Sequence, residues 1–488
     1  MRIFLSALFI VSVAAAADRP PNIVWIVGEN LDHDLGCYGE KLVATPHLDA
    51  LAAAGTRYMR VFSTSPVCAP SRSAILTGMY QTSTDTHHMR SHRDDDFHLP
   101  PGVRPMTHRL KEAGYFTANI KTIGTEVVGT GKLDLNFVNE GAIYDSDDWS
   151  QLKQRQPFFA QINMPEAEYD IYDRKSGEKP RVKWVGEDDP QFPKVATEQN
   201  VTPPPYYPDH PVVRQEWARY LNSVSNMDRH IGVILQQLEK DGLTDDTIVI
   251  FFADNGRLEA RGIHWCYDSG LRVPMIIRWP KNHTAPSAQP AIDEQVISLL
   301  DVTATTLGMA GIATPPGMQS RDLFSPTRGP ERTYAFSARD RIDETVAHIR
   351  TVRDARYRYI RNYAPHTTYT SLNRYKEKCF LIIPLMRELQ TAGKLSGPPL
   401  DLMRDAAPAE ELYDIDSDPF EIVNLATSQE PAHREAMVRL RAALDTWIIE
   451  TGDRGHITEA PEIRAPFEKE MHRWFGTPDW YHPPTDPN

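Results

Sequence analysis

Two short stretches constrain this chain more than any others. Residues 22–27 (NIVWIV) and Thr247–Ala253 (TIVIFFA) are unbroken apolar runs rich in β-branched and aromatic side chains. A strand with one face in water alternates polar and apolar residues, whereas an unbroken run of this length fits a strand covered on both faces, as in parallel sheets. Each run ends in oxygen-bearing side chains: Glu29 and Asn30 follow the first, Asp254 and Asn255 the second. Helix-like stretches at 46–54 and 220–240 alternate with further strand candidates at 158–163 and 274–278. This alternation predicts an α/β fold built on a large doubly wound sheet flanked by helices. Ligands of such sheets bind beyond the carboxyl ends of the strands, so these four residues mark a candidate site.

The ends of the chain read differently. Met1 and Arg2 precede an apolar run ending at Val13, and Ala14 to Ala17 follow it. That is the layout of a secretory signal peptide, residues 1–17, and the run falls short of the roughly 20 apolar residues that span a bilayer. No later segment is apolar enough for a membrane helix, so the expected location is secreted or periplasmic, without stable membrane insertion. With 53 basic and 66 acidic residues the net charge is −13. The absence of a long basic run disfavours a nucleic-acid partner. Cys37, Cys68, Cys266 and Cys379 are too scattered for a disulfide framework or zinc motif, leaving at most one bridge, without Cys68. Residues 171–207, dense in charge and proline, read as a surface excursion with little regular structure. Strands are predicted at 331–335, 348–353 and 356–361 and a helix at 431–450. The expected division is a catalytic domain over 18–330, a smaller strand-and-helix subdomain over 331–451 and a proline-rich tail over 452–488.

The chemistry concentrates in residues 65–78, SPVCAPSRSAILTG. Cys68 precedes a helix-like segment, so it would sit where unpaired backbone N–H groups and the positive end of the helix dipole favour an anion. Cys68, Pro70, Ser71, Arg72, Thr77 and Gly78 resemble the signature of the formylglycine-dependent sulfatases, CxPSR followed by TG. The ADNG segment, YDSGLRVP and ELYDIDSDPFEIVNLA extend the resemblance over most of the chain. It implies an alkaline phosphatase-like fold. It also implies that a formylglycine-generating or anaerobic maturation enzyme converts Cys68 to formylglycine, whose hydrate attacks sulfur, with Arg72 orienting it.

The resemblance further implies a divalent cation, calcium or magnesium, held by Glu29, Asn30, Asp254 and Asn255. An all-oxygen set suits either ion. The usual Asp-Asp pair stands here as Glu29-Asn30, which removes one charge, and Asp32 or Asp34 could assist. Lys132 matches a sulfate-binding lysine. Asp134 stands where relatives place a histidine, and a carboxylate there would repel sulfate unless protonated or turned toward the metal or a cation. Glu168 replaces another histidine and could act as an acid if its pKa were raised. Ile263 occupies the place of a basic sulfate contact, with His264 and Arg261 near enough to compensate, His264 also as a proton donor. The HHMRS segment resembles that of bacterial heparan-type and glycan sulfatases, so His87, His88 and Arg90 are expected to contact an anionic sugar.

The implied activity is hydrolysis of a sulfate ester or sulfamate, with a sulfated polysaccharide or oligosaccharide as substrate. Two alternatives remain open at this point: a phosphodiester or phosphonate hydrolase of the same fold, and a catalytically degenerate glycan-binding relative, favoured by the changes at Asn30, Asp134, Glu168 and Ile263.

Overall fold

The computed structural model describes residues 19–481, apart from 93–94, 125–126, 173–180, 288, 328, 456 and 458. The expected signal peptide lies outside the described residues. In chain order the strands are β1 (Asn22–Gly28), β2 (Thr56–Phe62), β3 (Phe116–Ile123), β4 (Val127–Val128), β5 (Ser146–Asp148), β6 (Phe158–Met164), β7 (Tyr169–Tyr172), β8 (Arg181–Trp184), β9 (Thr247–Ala253), β10 (Arg272–Arg278), β11 (Ile292–Ser298), β12 (Ala335–Arg339), β13 (Ile349–Arg353), β14 (Tyr357–Asn362) and β15 (Glu410–Asp414).

The two apolar runs are neighbours. β1 pairs in parallel with β9 on one side and β6 on the other, at the centre of a nine-stranded sheet ordered β11-β2-β10-β9-β1-β6-β3-β4, with β5 also on β3. All seven residues of each of β1, β6 and β9 are buried, as the runs require. The sheet is mixed, because β10 runs antiparallel to both β9 and β2. Helices cover both faces: the Trp25 indole donates to Thr306 of helix Asp301–Met309 (3.0 Å), while Gly28, of opposite parity on β1, abuts Met227 of helix Pro211–Lys240.

β12 to β15 form a separate antiparallel sheet, against which helix Pro431–Thr451 stacks Trp447 on Phe336 with ring centroids 5.2 Å apart. The first of these strands lies later than the sequence pattern predicted, Ala335–Arg339 instead of 331–335, because the buried alternation starts at Ala335. Helix Pro211–Lys240 starts nine residues earlier than 220, with proline in its first turn and the His210 ring accepting from the Val212 amide. The described part of the surface excursion, 181–207 with the end of β7, is better ordered than expected; 173–180 lie outside the described residues. β7 and β8 form a hairpin, and Trp184, Tyr206 and Tyr207 are buried anchors that hold this stretch down. Within the stretch read as a proline-rich tail, Pro461–Phe475 is a helix that buries Phe467, Met471 and Phe475 in the main core. All four cysteines are free.

One buried acid makes the fold pH-sensitive. Asp228 is 1 % exposed and accepts from the backbone amides of His47 (3.2 Å) and Leu48 (2.8 Å), tying two helices together. Burial raises its pKa from 3.8 to about 6, despite those hydrogen bonds. The folded chain therefore holds an extra proton between these values, and its stability falls as pH rises through that window. Urea unfolding should show wild type losing up to about 3 kcal/mol relative to Asp228→Asn between pH 4 and pH 7. Parallel stability curves would refute this assignment.

Candidate active site

The carboxyl ends of β1, β6 and β9 converge with the N-terminus of helix Cys68–Thr77. Cys68 is the first residue of that helix and is 6 % exposed. The helix and the loop before it are tied to the end of β9 by hydroxyls: Ser71 Oγ donates to Asp254 O (2.6 Å) and shares a hydrogen bond with Ser63 Oγ (3.0 Å). Burial raises the Cys68 thiol well above its usual value; Lys132 and Arg90 pull it down, while Asp134 and Glu168 push it up. An unmodified thiol here is thus poorly suited to act as a thiolate nucleophile.

Arg72 projects from the same helix into the cleft between the strand ends. It donates to Asp254 Oδ2 (2.8 Å) and Asn163 Oδ1 (2.7 Å), and its Nη2 lies 3.6 Å from Glu29 Oε1. Lys132 reaches the same carboxylate from the other side, donating to Glu29 Oε2 (2.6 Å) and Glu168 Oε2 (3.1 Å). Burial drives Glu29 well above the usual carboxylate range, against the pull of Lys132 and Arg72. Glu168 is the opposite case. Burial alone would raise it, but Lys132, a hydrogen bond with Glu29 and Arg90 hold it down at about 2. The expectation of an acid with a raised pKa is therefore not met, because Glu168 is the counter-ion of Lys132.

Glu29, Asn30, Asp254 and Asn255 gather as expected: Asn255 donates to Asn30 Oδ1 (2.9 Å) and the Asn30 amide to Asp254 Oδ1 (3.3 Å). Glu29 Oε1 and Asn255 Oδ1 are buried with no hydrogen-bond partner among the described residues. Orphaned oxygens of this kind, in an all-oxygen set, fit a hard divalent cation. Only two of the four are carboxylates, and among the described residues no group of three His, Cys, Asp or Glu side chains is placed to hold a metal. Asp32 and Asp34 do not supplement them. Asp32 is held by Arg272 and Arg257 (both 2.8 Å), and Asp34 by Arg257 (2.7 Å) and the Tyr220 hydroxyl (2.8 Å).

The open question at Asp134 resolves toward a cation: its Oδ1 lies 3.7 Å from Arg90 Nε. Both residues have positive φ, 49° and 57°, so each is turned inward from a tight bend. Met89 is fixed by its amide donating to Arg341 O (2.9 Å), and it packs with Cys68 and Ile342 in one cluster. His87 and His88 turn away from this group, toward Arg341, Arg350 and Glu459. Burial lowers His87 to about 4 and His88 further, and His88 Nδ1 accepts from the Arg341 amide (3.2 Å). The structure thus brings Arg90 beside Cys68 without the two histidines.

His264 comes from a tightly folded loop. A Cβ on Gly270 would lie 2.2 Å from the carbonyl oxygens of Gly262 and Trp265, so only glycine permits this crossing. The His264 amide donates to Pro66 O (2.8 Å), which links the loop to the nucleophile segment. The ring is buried at 3 % exposure, and burial, then Lys376, Arg339 and Arg90, keep it neutral. Arg261 is not available to replace the missing base: it donates to Phe420 O (3.0 Å) and Glu421 O (2.6 Å) and stacks on Tyr267. Ile263 is a core residue.

Sequence reasoning missed Asn163, which orients Arg72, Asp343, whose charge is felt at Arg90, and Tyr375, a neutral phenol within electrostatic reach of Cys68. Asn163 closes an apolar strand and could have been suspected from that position. Asp343 and Tyr375 lie in stretches without a motif.

Cys68 at a helix N-terminus, facing an oxygen-rich cluster at the strand ends of a mixed sheet flanked by helices, is an arrangement of the alkaline phosphatase-like fold. A sequence profile of the family described as "Sulfatase" matches residues 21–312, and one described as "N-sulphoglucosamine sulphohydrolase, C-terminal" matches 262–378. An ulvan-active sulfatase of Formosa agariphila is 34 % identical over 482 residues, covering 91 % of this chain and 77 % of the relative. Human N-sulphoglucosamine sulphohydrolase is 27 % identical, covering 89 % and 91 %. Among solved structures, a 2-O GAG sulfatase superposes with a TM-score of 0.60 at 18 % identity, covering 91 % of this chain and 96 % of that one. The chain belongs to the sulfatase family, whose members are sulfuric ester hydrolases that generally use formylglycine and a divalent cation.

Proposed function

We propose that this chain is an exported sulfatase that removes sulfate from a sulfated glycan, with Cys68 as the residue matured to formylglycine. The observation that carries this reading is the setting of Cys68: a helix N-terminus, Lys132 and Arg90 close by, and a thiol too buried to serve as a thiolate. Formylglycine would supply a hydrated oxygen nucleophile at this position. Glu29, Asn30, Asp254 and Asn255 are the residues that would hold a calcium or magnesium ion, which would neutralise charge on a bound sulfate. Arg72 bridges Asp254, Asn163 and Glu29 and so fixes the relation of the nucleophile helix to the strand ends. Lys132 lends positive charge to the sulfonyl oxygens, and Arg90 faces the sugar side. Burial keeps His264 neutral, and an entering sulfate would favour its protonated form and fit it to donate to the leaving atom.

The glycan class rests on the relatives. Those compared include an ulvan-active sulfatase, N-sulphoglucosamine sulphohydrolase and a structure in complex with D-glucosamine-2-N,6-O-disulfate. Export rests on the N-terminal pattern of residues 1–17. Among the described residues no helix is long and apolar enough to cross a membrane.

The first test is peptide mass spectrometry across residues 64–72 of protein from its native host, joined to sulfate- and phosphate-release assays on ulvan oligosaccharides and N-sulphoglucosamine. A loss of about 18 Da at residue 68, with release of sulfate alone, is expected. An unmodified thiol with no release would leave only a glycan-binding role. The cation is tested separately. Calcium at about 100 times its Kd should stabilise the protein by about 2.7 kcal/mol, and Glu29→Gln or Asp254→Asn should remove that gain. A thermal midpoint indifferent to calcium and to EDTA would remove the ion from this site.

A further inference from the structure

Beside the His264 loop, and apart from the chemistry at Cys68, lies a small pocket of about 20 Å³. That is room for one water-sized or slightly larger body. Its wall carries three donors from separate segments: Arg339 at the end of β12, Tyr369, and Lys376 of helix Arg374–Cys379. Arg339 is 2 % exposed, and its Nε and Nη1 have no hydrogen-bond partner among the described residues; neither has the Tyr369 hydroxyl. The guanidinium lies 4.1 Å from the centre of the Trp265 ring, a contact that offers attraction but no acceptor atom. Lys376, equally buried, donates to the carbonyls of Ala260 (2.9 Å) and Ile263 (2.6 Å).

Neither cation forms an ion pair among the described residues, although acids lie nearby. Glu377, on the same wall, is taken by Arg387 (2.6 Å), Asp340 by Arg350 (3.1 Å), and Asp343 accepts from Asn373 (3.1 Å). Two buried positive groups that share one cavity, with Asp343 felt only at longer range and no acid among the described residues in contact with either, are costly. Burial accordingly depresses both, Arg339 to about 10 and Lys376 well below its usual range. An anion in the pocket would supply the missing charge and accept from the orphaned N–H and O–H groups. A pocket of this size suits a monatomic anion.

We propose that this pocket is a halide site, filled by chloride held between Arg339, Lys376 and the Tyr369 hydroxyl. His264 lines the same cavity, and its amide reaches Pro66, two residues before Cys68. The ion would brace the loop that carries His264 against the C-terminal sheet.

The test uses the full-length protein. Its thermal midpoint should be at least about 1 °C higher in sodium chloride than in sodium gluconate at equal ionic strength. Arg339→Met should abolish that chloride-specific increment whatever its own midpoint. Crystals grown in sodium bromide should show an anomalous peak between Arg339 and Lys376. Equal midpoints in the two salts with no bromide peak would mean a water pocket and overturn the proposal. A chloride increment that survives in Arg339→Met would place the ion elsewhere and overturn it equally. Should Arg339→Met fail to fold, the bromide map on the wild-type protein decides.

Discussion

Cys68→Ala lowers sulfate release by at least about 10⁴-fold while leaving the fold and saccharide binding intact: that is the expected result of removing the nucleophile and nothing else. The side chain lies in a small cluster with Val67, Ala69, Met89 and Ile342. In the matured protein the substitution removes the formylglycine oxygens, and truncation at this small, partly apolar site should cost about 1 kcal/mol. The residues proposed to face sulfate and sugar, Lys132 and Arg90, are anchored by other partners and do not depend on Cys68 for their positions. Calorimetric titration with ulvan oligosaccharides should therefore give similar affinities for wild type and variant, with activity lost only in the variant. Activity above a tenth of wild type would exclude residue 68 as nucleophile. Equal inactivity of both proteins, with binding retained, would instead identify a glycan-binding relative.

How much of this site could be read from sequence depends on what each residue answers to. The two apolar runs predict strands buried on both faces because such burial leaves no freedom in composition, and β1 and β9 are buried throughout; that they are direct neighbours is a finding of the structure. The gathering of Glu29, Asn30, Asp254 and Asn255 then follows from strand ends alone. The direction of a side chain beyond a strand end is another matter. Glu168 was read as a possible acid, and only the contact with Lys132 shows why it stays ionised. Asp134 could be placed opposite a cation, a metal or a proton, and the choice of Arg90 depends on two bends with positive φ that no local pattern announces. His87 and His88 sit in a motif beside Arg90, yet the turn sends them toward residues more than two hundred and fifty positions away in sequence. Helix Pro461–Phe475 escaped because its prolines suggested a loose end, whereas one stands in its first turn and its buried residues belong to a core built elsewhere.

Lys132→Met should show two losses with different remedies. The first is catalytic. A cation aimed at the oxygens of a transferring group contributes most where water is excluded, and removing one such group lowers kcat by about 10²- to 10³-fold. The second is structural. Lys132 Nζ lies 2.6 Å from Glu29 Oε2 and 3.1 Å from Glu168 Oε2, and Glu29 is fully buried. Breaking a buried pair by removing one partner costs about 3–5 kcal/mol when the remaining charge cannot escape. Glu29 has one escape, which is to take up a proton, and burial already places it well above the usual carboxylate range. A raised acid binds its proton in the folded state at pH values where the unfolded chain has lost it, so the penalty grows as pH rises. The variant should therefore melt much lower than wild type at pH 8 and less so at pH 5. Added calcium should narrow the gap at pH 8, since a divalent ion beside Glu29 replaces the lost charge, but it should not restore kcat, because the lysine contact to sulfate is still missing. Recovery of both would make Lys132 a counter-ion and no more. Recovery of neither, with the fold intact, would separate Lys132 from the Glu29 cluster and leave sulfate binding as its sole role.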